Sequence, residues 1–235
     1  MLTKTFWKKY FKEYDLLNLL LPYQETLKLI AVRLKVQRGD KILDAGSGTG
    51  NLSLLLEKLG ADVVGLDSSS AGLDIHKQKS MTAKLLEHDL TKPLPFANGY
   101  FDKICSNNTL YTIPPILRRK VISELHRILR GGGLLVVSNL QVSFSPLRIY
   151  KSHLLESSRT KGILKTLMTA CRLLAPTIKI FYYNQLIKRE NISGEYAFFR
   201  AGEQKELLLN AGFKTVSDDE ITYAGQAVLN VAIKE

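Results

Sequence analysis

The stretch Lys41-Ile42-Leu43-Asp44-Ala45-Gly46-Ser47-Gly48-Thr49-Gly50-Asn51-Leu52 constrains the fold of this chain more than any other. An apolar run ends in an acid, glycine then recurs at every second position, and leucines at helical spacing follow. That order reads as strand, tight turn and helix start. Glycine accepts positive φ and lets backbone approach a ligand closely. The helix start near Gly50 turns unpaired N–H groups toward whatever occupies the turn. The spacing G-x-G-x-G is not the dinucleotide fingerprint G-x-G-x-x-G. Nor is it a P-loop, which needs a lysine after its last glycine.

Two further strands close on acids. Ala61-Asp62-Val63-Val64-Gly65-Leu66-Asp67 ends at Asp67, at the distance expected of a ribose-binding carboxylate, and Ala83 to Leu90 carries His88-Asp89 at its end. With Leu94-Pro95-Phe96 and Phe101-Asp102 downstream, the series resembles a class I S-adenosylmethionine-dependent methyltransferase over residues 25 to 140. The segment Tyr14-Asp15-Leu16-Leu17-Asn18 also resembles the Tyr-Asp-Leu-x-Asn entry of the quinone-biosynthesis methyltransferases within the small-molecule group.

The resemblance implies an α/β fold, a Rossmann-like seven-stranded mostly parallel sheet with an antiparallel last strand and a helical lid insertion. It implies S-adenosyl-L-methionine as cofactor and no metal. Asp67 is then the ribose ligand. Gly46, Gly48 and Gly50, with Ala45, Ser47 and Asn51, flank the methionine moiety, and Asp44 faces its ammonium side. Asp89 takes the adenine amino group between His88 and Leu90. Ser68, Ser69, Asn107 and Asn108 complete the cofactor set, with Tyr111 near the acceptor. No general base stands out, and His153, Tyr14 and Tyr111 are the candidates. Asp102 reads as structural, His76 as part of a polar helix end, and His126 as part of a solvated helix face.

The rest of the chain is read from pattern. Leu27, Ile30, Ala31 and Leu34 mark a helix against the sheet. Ser68-Ser69-Ser70 offers an N-cap. Pro114-Pro115 starts a helix that Gly131-Gly132-Gly133 is expected to end before strand five. Residues 140–195 are too long for a plain connection. They are expected to form a helical lid between strands five and six, with a second helical lid over residues 1–38. All 235 residues then make a single domain.

Composition narrows the partners. Two cysteines, Cys105 and Cys171, have no metal-ligand spacing, and no signal-peptide pattern stands at the start, so a cytoplasmic protein is expected. The net charge of +11 is uneven. Residues 1–38 carry eight basic and three acidic groups, and residues 145–190 carry nine and two. Both segments interleave cations with aromatics, among them Lys4, Lys8, Lys9 and Lys12 with Trp7, Phe11, Tyr150 and Tyr182. That mixture favours a small hydrophobic or lipid-like acceptor and an anionic membrane surface as a peripheral partner. The alternatives are an RNA acceptor and a cofactor-binding regulatory module without turnover. A DNA amino-methyltransferase is excluded, because Ser106-Asn107-Asn108-Thr109 stands where its Asn/Asp-Pro-Pro-aromatic signature belongs. Oligomeric state is not legible.

Overall fold

A computed structural model describes residues 4–192 and 197–235. The apolar run around the glycines forms β1 (Lys41–Ala45), whose four last residues are buried. The strands β2 (Asp62–Asp67), β3 (Lys84–Glu87), β4 (Phe101–Asn107) and β5 (Leu129–Leu140) lie parallel to it. β4 is buried along most of its length, and β5 carries a short apolar run over residues 134–137, as expected of strands covered on both faces. β8 (Ala227–Ile233) runs antiparallel beside β5. With β6 at Thr215–Val216, the order is β3-β2-β1-β4-β5-β8-β6. The strand order reverses between β1 and β4, which puts the ligand crevice of an open α/β sheet at their carboxyl ends.

The expected seven positions hold eight strands. β6 (Thr215–Val216) and β7 (Glu220–Thr222) share the outer edge of β8, pairing with its opposite ends. The break between them is held by Asn230, whose Nδ2 donates to Ser217 O at 3.1 Å and to Asp219 Oδ1 at 3.0 Å.

The helices are α1 (Lys4–Tyr14), α2 (Leu21–Arg33), α3 (Asn51–Lys58), α4 (Ser70–Lys79), α5 (Pro115–Ile128), α6 (Pro146–Lys161), α7 (Ile163–Ile192) and α8 (Glu203–Asn210). Short 3₁₀ turns cover Asp15–Leu19 and Leu110–Thr112. α5 stops at Ile128, short of the glycine run expected to end it. Leu129 is fully buried and pairs with Phe101, while Leu134 pairs with Lys103, so residues 130–133 bulge from β5. The glycines serve that bulge rather than a helix end.

Between β5 and β6 the chain forms a helical hairpin of α6 and α7 turning at Gly162. The end of the expected insertion, 193–195, lies outside the described residues. α6 packs on α2 and α7 on α1. Within the hairpin, Tyr150 Oη donates to Ala170 O at 3.3 Å and Thr166 Oγ1 to Ser157 Oγ at 3.1 Å.

α8 is tied to the sheet by buried amides. Gln204 Nε2 donates to Val137 O at 3.1 Å and Asn230 Oδ1 at 2.8 Å, and its Oε1 accepts from Asn139 Nδ2 at 2.8 Å. Gln204→Leu strips partners from amides that stay buried. It is expected to lower the unfolding free energy by about 2–4 kcal/mol in a urea titration. A loss below about 0.5 kcal/mol would show that the network relaxes without cost.

Candidate functional site

Backbone at Gly46, Gly48 and Gly50 is left-handed, with φ of 86°, 52° and 81°, which is why glycine recurs at alternate positions. Two of these glycines also admit neighbours where no side chain would fit. A Cβ on Gly46 would stand 2.1 Å from Thr109 Oγ1, and one on Gly50 would stand 2.1 Å from His76 Cδ2. At Gly48 a Cβ would come 3.3 Å from the Phe11 ring. The amides of Gly46 and Ser47 donate to Leu66 O at 2.7 and 2.9 Å, strapping the turn to β2.

A cavity of about 550 Å³ lies over this turn. It is lined by Asp44, Gly46, Ser47, Gly48, Asn51, Asp67, Ser68, Ser69, His88, Asp89, Leu90, Asn107 and Asn108, together with Tyr14 and Tyr111. Two residues expected there are not among its lining. Ala45 is fully buried in the sheet, and Gly50 is backed by His76. Thr109 lines it too, in the segment after β4 that was expected at the crevice, whereas Tyr10, Phe11 and Tyr23 line it without having been expected. Spacing of three and four along α1 does put Tyr10, Phe11 and Tyr14 on one side, a signal the sequence held.

The three carboxylates have different surroundings. Asp44 is 2% exposed and accepts from Ser53 Oγ at 2.6 Å, and burial pushes its carboxyl up to about 6. Burial also raises Asp67, against the pull of two amides, Ser69 N at 2.8 Å and Gly48 N at 2.9 Å. Asp89 is exposed, and its Oδ1 accepts from the Thr91 amide and hydroxyl, both at 2.8 Å. Ser69 caps α4 as its sequence context predicts, accepting from Gly72 N at 3.4 Å. Ser47 Oγ, Thr49 Oγ1, Asn107 Oδ1 and Asn108 Oδ1 are buried without a hydrogen-bond partner among the described residues.

The N-terminal segment walls the cavity. Tyr14 Oη lies 3.4 Å from Tyr23 Oη, and Asn18 Nδ2 donates to Asn51 Oδ1 at 2.6 Å. Lys79 Nζ reaches Asp15 Oδ1 at 2.6 Å, Asn51 Oδ1 at 2.7 Å and Thr49 O at 2.9 Å. One ammonium thus joins the end of α4, the glycine turn and the Tyr14–Asn18 segment. Burial raises the phenols of Tyr10, Tyr14, Tyr23 and Tyr223, which stay neutral donors at ordinary pH. A second cavity, of about 60 Å³, sits under the α6–α7 hairpin and shares Tyr10, Tyr14, Asn108 and Tyr111 with the first. Leu20, Leu140, Phe144, Ile149 and Ile180 supply its apolar walls.

The histidines are placed differently from expectation. His153 is 1% exposed and lines neither cavity; its Nδ1 accepts from Leu21 N at 3.2 Å, capping the start of α2 where α6 packs on it. His76 stands in the polar last turn of α4, as expected, but not on a solvated face. It is 1% exposed behind the glycine turn, and burial holds its imidazole down to about 4. His126 is not on a solvated face either, because its ring meets Phe213 edge-on at 4.8 Å. Asp102 is structural as expected, accepting from Lys41 N and pairing with Arg130, each at 2.8 Å.

A glycine turn after β1, an acid ending β2 and a cavity at the strand-order reversal define a nucleoside-binding α/β domain. Residues 43–137 match the family described as Methyltransferase domain. The chain is 34% identical to an uncharacterized methyltransferase of Synechocystis sp. over 107 residues, which is 46% of this chain and 50% of that one. It is 30% identical to a demethylmenaquinone methyltransferase of Staphylococcus epidermidis over 148 residues, 60% of each. A solved SAM-dependent methyltransferase of Aquifex aeolicus superposes with a TM-score of 0.62 at 15% identity, covering 97% of this chain and 98% of that one. The match to the methyltransferase family thus lies over residues 43–137, within a chain that shares the fold of the solved S-adenosylmethionine-dependent methyltransferase. It spans half to three-fifths of the length of the curated relatives named here.

Fold and domain imply S-adenosyl-L-methionine as the cofactor. The residues present fit it. Buried polar atoms are ordinarily paired, and the unpartnered oxygens of Ser47, Thr49, Asn107 and Asn108 await a polar ligand. Among the described residues no cation pairs with the buried Asp44 carboxyl, and the cofactor's ammonium would supply one.

Asp44 and His76 couple stability to pH in opposite senses. Asp44 titrates at about 6 when folded against its ordinary 3.8, so its contribution is full below 3.8 and lost as pH rises through 6. His76 titrates at about 4 against its ordinary 6.5, so its contribution is full above 6.5 and lost as pH falls toward 4. The two offset each other between about pH 4 and 6. Asp44→Asn removes the opposing limb, and its stability is expected to climb from pH 4 to 6.5 more steeply than that of the native protein. Urea titrations at fixed pH read this directly. Parallel profiles would mean that Asp44 does not titrate in that window.

Proposed function

We propose that the chain is an S-adenosylmethionine-dependent methyltransferase acting on a small hydrophobic acceptor of the quinol or lipid-like type. The observation that carries this reading is the aromatic wall of the 550 Å³ cavity, Tyr10, Phe11, Tyr14 and Tyr111, which continues into a small apolar recess of about 60 Å³ under the hairpin. The similarity to demethylmenaquinone methyltransferase supports the acceptor class. A lipid-like acceptor is met at a membrane surface, and the basic balance of residues 145–190 supports an anionic one. Among the described residues no helix is long and apolar enough to cross a membrane, so the association would be peripheral.

S-adenosylmethionine supplies a methyl group already activated on its sulfonium. The residues of the chain have the other tasks. Asp67, held by the Gly48 and Ser69 amides, keeps lone pairs for the ribose hydroxyls. His88, Asp89 and Leu90 take the adenine, and Asp44 the ammonium. Asn107 and Asn108 present unpartnered carbonyl oxygens to the cavity. Tyr14, kept neutral by burial, acts as a donor to the acceptor's oxygen rather than as a base, and Tyr111 orients the acceptor beside it. His153 has no part in the chemistry. Residues 1–38 and 140–195 act as lids whose apolar inner surfaces exclude water, and orientation in such a site provides much of the rate.

Asp67→Ala is expected to weaken S-adenosylmethionine binding by about 1–3 kcal/mol in calorimetry. Unchanged affinity in the folded variant removes Asp67 from the ribose role, and tighter binding of NAD than of S-adenosylmethionine overturns the assignment. With labelled cofactor and a reduced naphthoquinone as acceptor, Tyr14→Phe should lower kcat about 10- to 100-fold while leaving cofactor affinity intact. No transfer to any apolar acceptor by the native protein would return the choice to RNA or to a binding module.

A further inference from the structure

The α6–α7 hairpin has a second face that the site does not use. On α7 the inward residues are Thr166, Leu173 and Ile180, at 6%, 2% and 8% exposure. The opposite side carries Ile163, Leu164, Leu167, Met168, Ile178 and Tyr182, exposed at 71%, 73%, 57%, 66%, 62% and 60%. At 3.6 residues per turn these fall within one arc of about 140° and run for about 30 Å along the helix. Scattered exposed apolar residues are ordinary, but a continuous stripe marks an interaction surface.

We propose that this face docks on an anionic lipid bilayer, and that the docking places the second cavity next to the membrane. The hairpin is strongly cationic, with nine basic and two acidic groups over residues 145–190. On α6 the residues Leu147, Lys151, Leu155 and Arg159 follow one another at intervals of four, all exposed, so cations and leucines share one side. Lys165 and Lys179 are exposed at one margin of the α7 stripe, where Lys179 also pairs with Glu13 at 2.7 Å. An exposed leucine, isoleucine and methionine surface edged with cations suits lipid headgroups over acyl chains. The expected aromatic anchors are rearranged. Phe11 packs on the glycine turn and Tyr150 is turned into the hairpin, which leaves Tyr182 outside. The side chains of Lys4, Trp7, Lys8 and Lys12 lie outside the described residues. Ile149 and Ile180, on the inner faces of the two helices, line the second cavity. The bilayer would therefore meet the hairpin on one side while the acceptor site lies on the other. The inference deepens the proposed function by naming its membrane face, but the docking itself is measured without acceptor or turnover.

The test is co-sedimentation with vesicles of phosphatidylcholine, with and without phosphatidylglycerol. The native chain should bind the anionic vesicles in a salt-sensitive manner. The exposed triple variant Leu164→Glu, Leu167→Glu, Met168→Glu should bind them at least about tenfold more weakly. A second variant, Lys151→Gln with Arg159→Gln, should lose the preference for anionic over neutral vesicles. Calorimetry with S-adenosylmethionine should give one affinity for all three chains, which shows them folded. Equal vesicle binding by the native and triple variants overturns the proposal. So does a native dimer that the triple variant dissolves, or binding to structured RNA at the same ionic strength without binding to vesicles. Failure of the native chain to bind S-adenosylmethionine would overturn the proposed function and leave the vesicle result standing.

Discussion

The site depends on a contact that any side chain would forbid. Gly46 lets Thr109 press on the turn from the end of β4, and Gly50 lets His76 press on it from α4. The turn is clamped between two elements far apart in sequence, and its amides are then aimed by the bonds to Leu66 O and Asp67. Left-handed backbone explains why glycine is tolerated at these positions. Close approach explains why nothing larger can replace it. The imidazole of His76, buried and neutral, is part of that clamp rather than part of the chemistry.

Around the clamp the chain gathers charge and apolar surface into different places. Lys79 holds the N-terminal segment against the glycine turn through Asp15, Asn51 and the Thr49 carbonyl. The same segment brings Tyr10, Phe11 and Tyr14 over the cavity, where their rings meet one another and Tyr23 at 5.4 to 6.1 Å. Desolvation keeps the tyrosine hydroxyls neutral, so this wall offers donors and stacking surface but no base.

The α6–α7 hairpin extends the same division. Its inner side closes the second cavity with Ile149, Tyr150 and Ile180, while its outer side keeps an apolar stripe in solvent. Pro176 interrupts the backbone ladder of α7 partway along.

The sequence by itself determined the sheet, the glycine turn and the acids at the ends of β2 and β3. Each of these is written in a few contiguous residues: alternate glycines, apolar runs of strand length, and a carboxylate at the run's end. A helical insertion after β5 was legible for the same reason, since residues 140–195 are too long for a plain connection. Tertiary structure alone decided what faces what. His153 looked available because it stands among cations, but α6 packs on α2 and gives it the Leu21 amide to cap. His76 looked exposed on a polar helix, yet the side of α4 that carries it meets the glycine turn. The glycine run after α5 looked like a helix stop, whereas burial of Leu129 at the start of β5 turned it into a bulge. Side-chain partners across long separations depend on how helices lie on the sheet. That arrangement follows from packing the whole core at once, and no short run of residues encodes it.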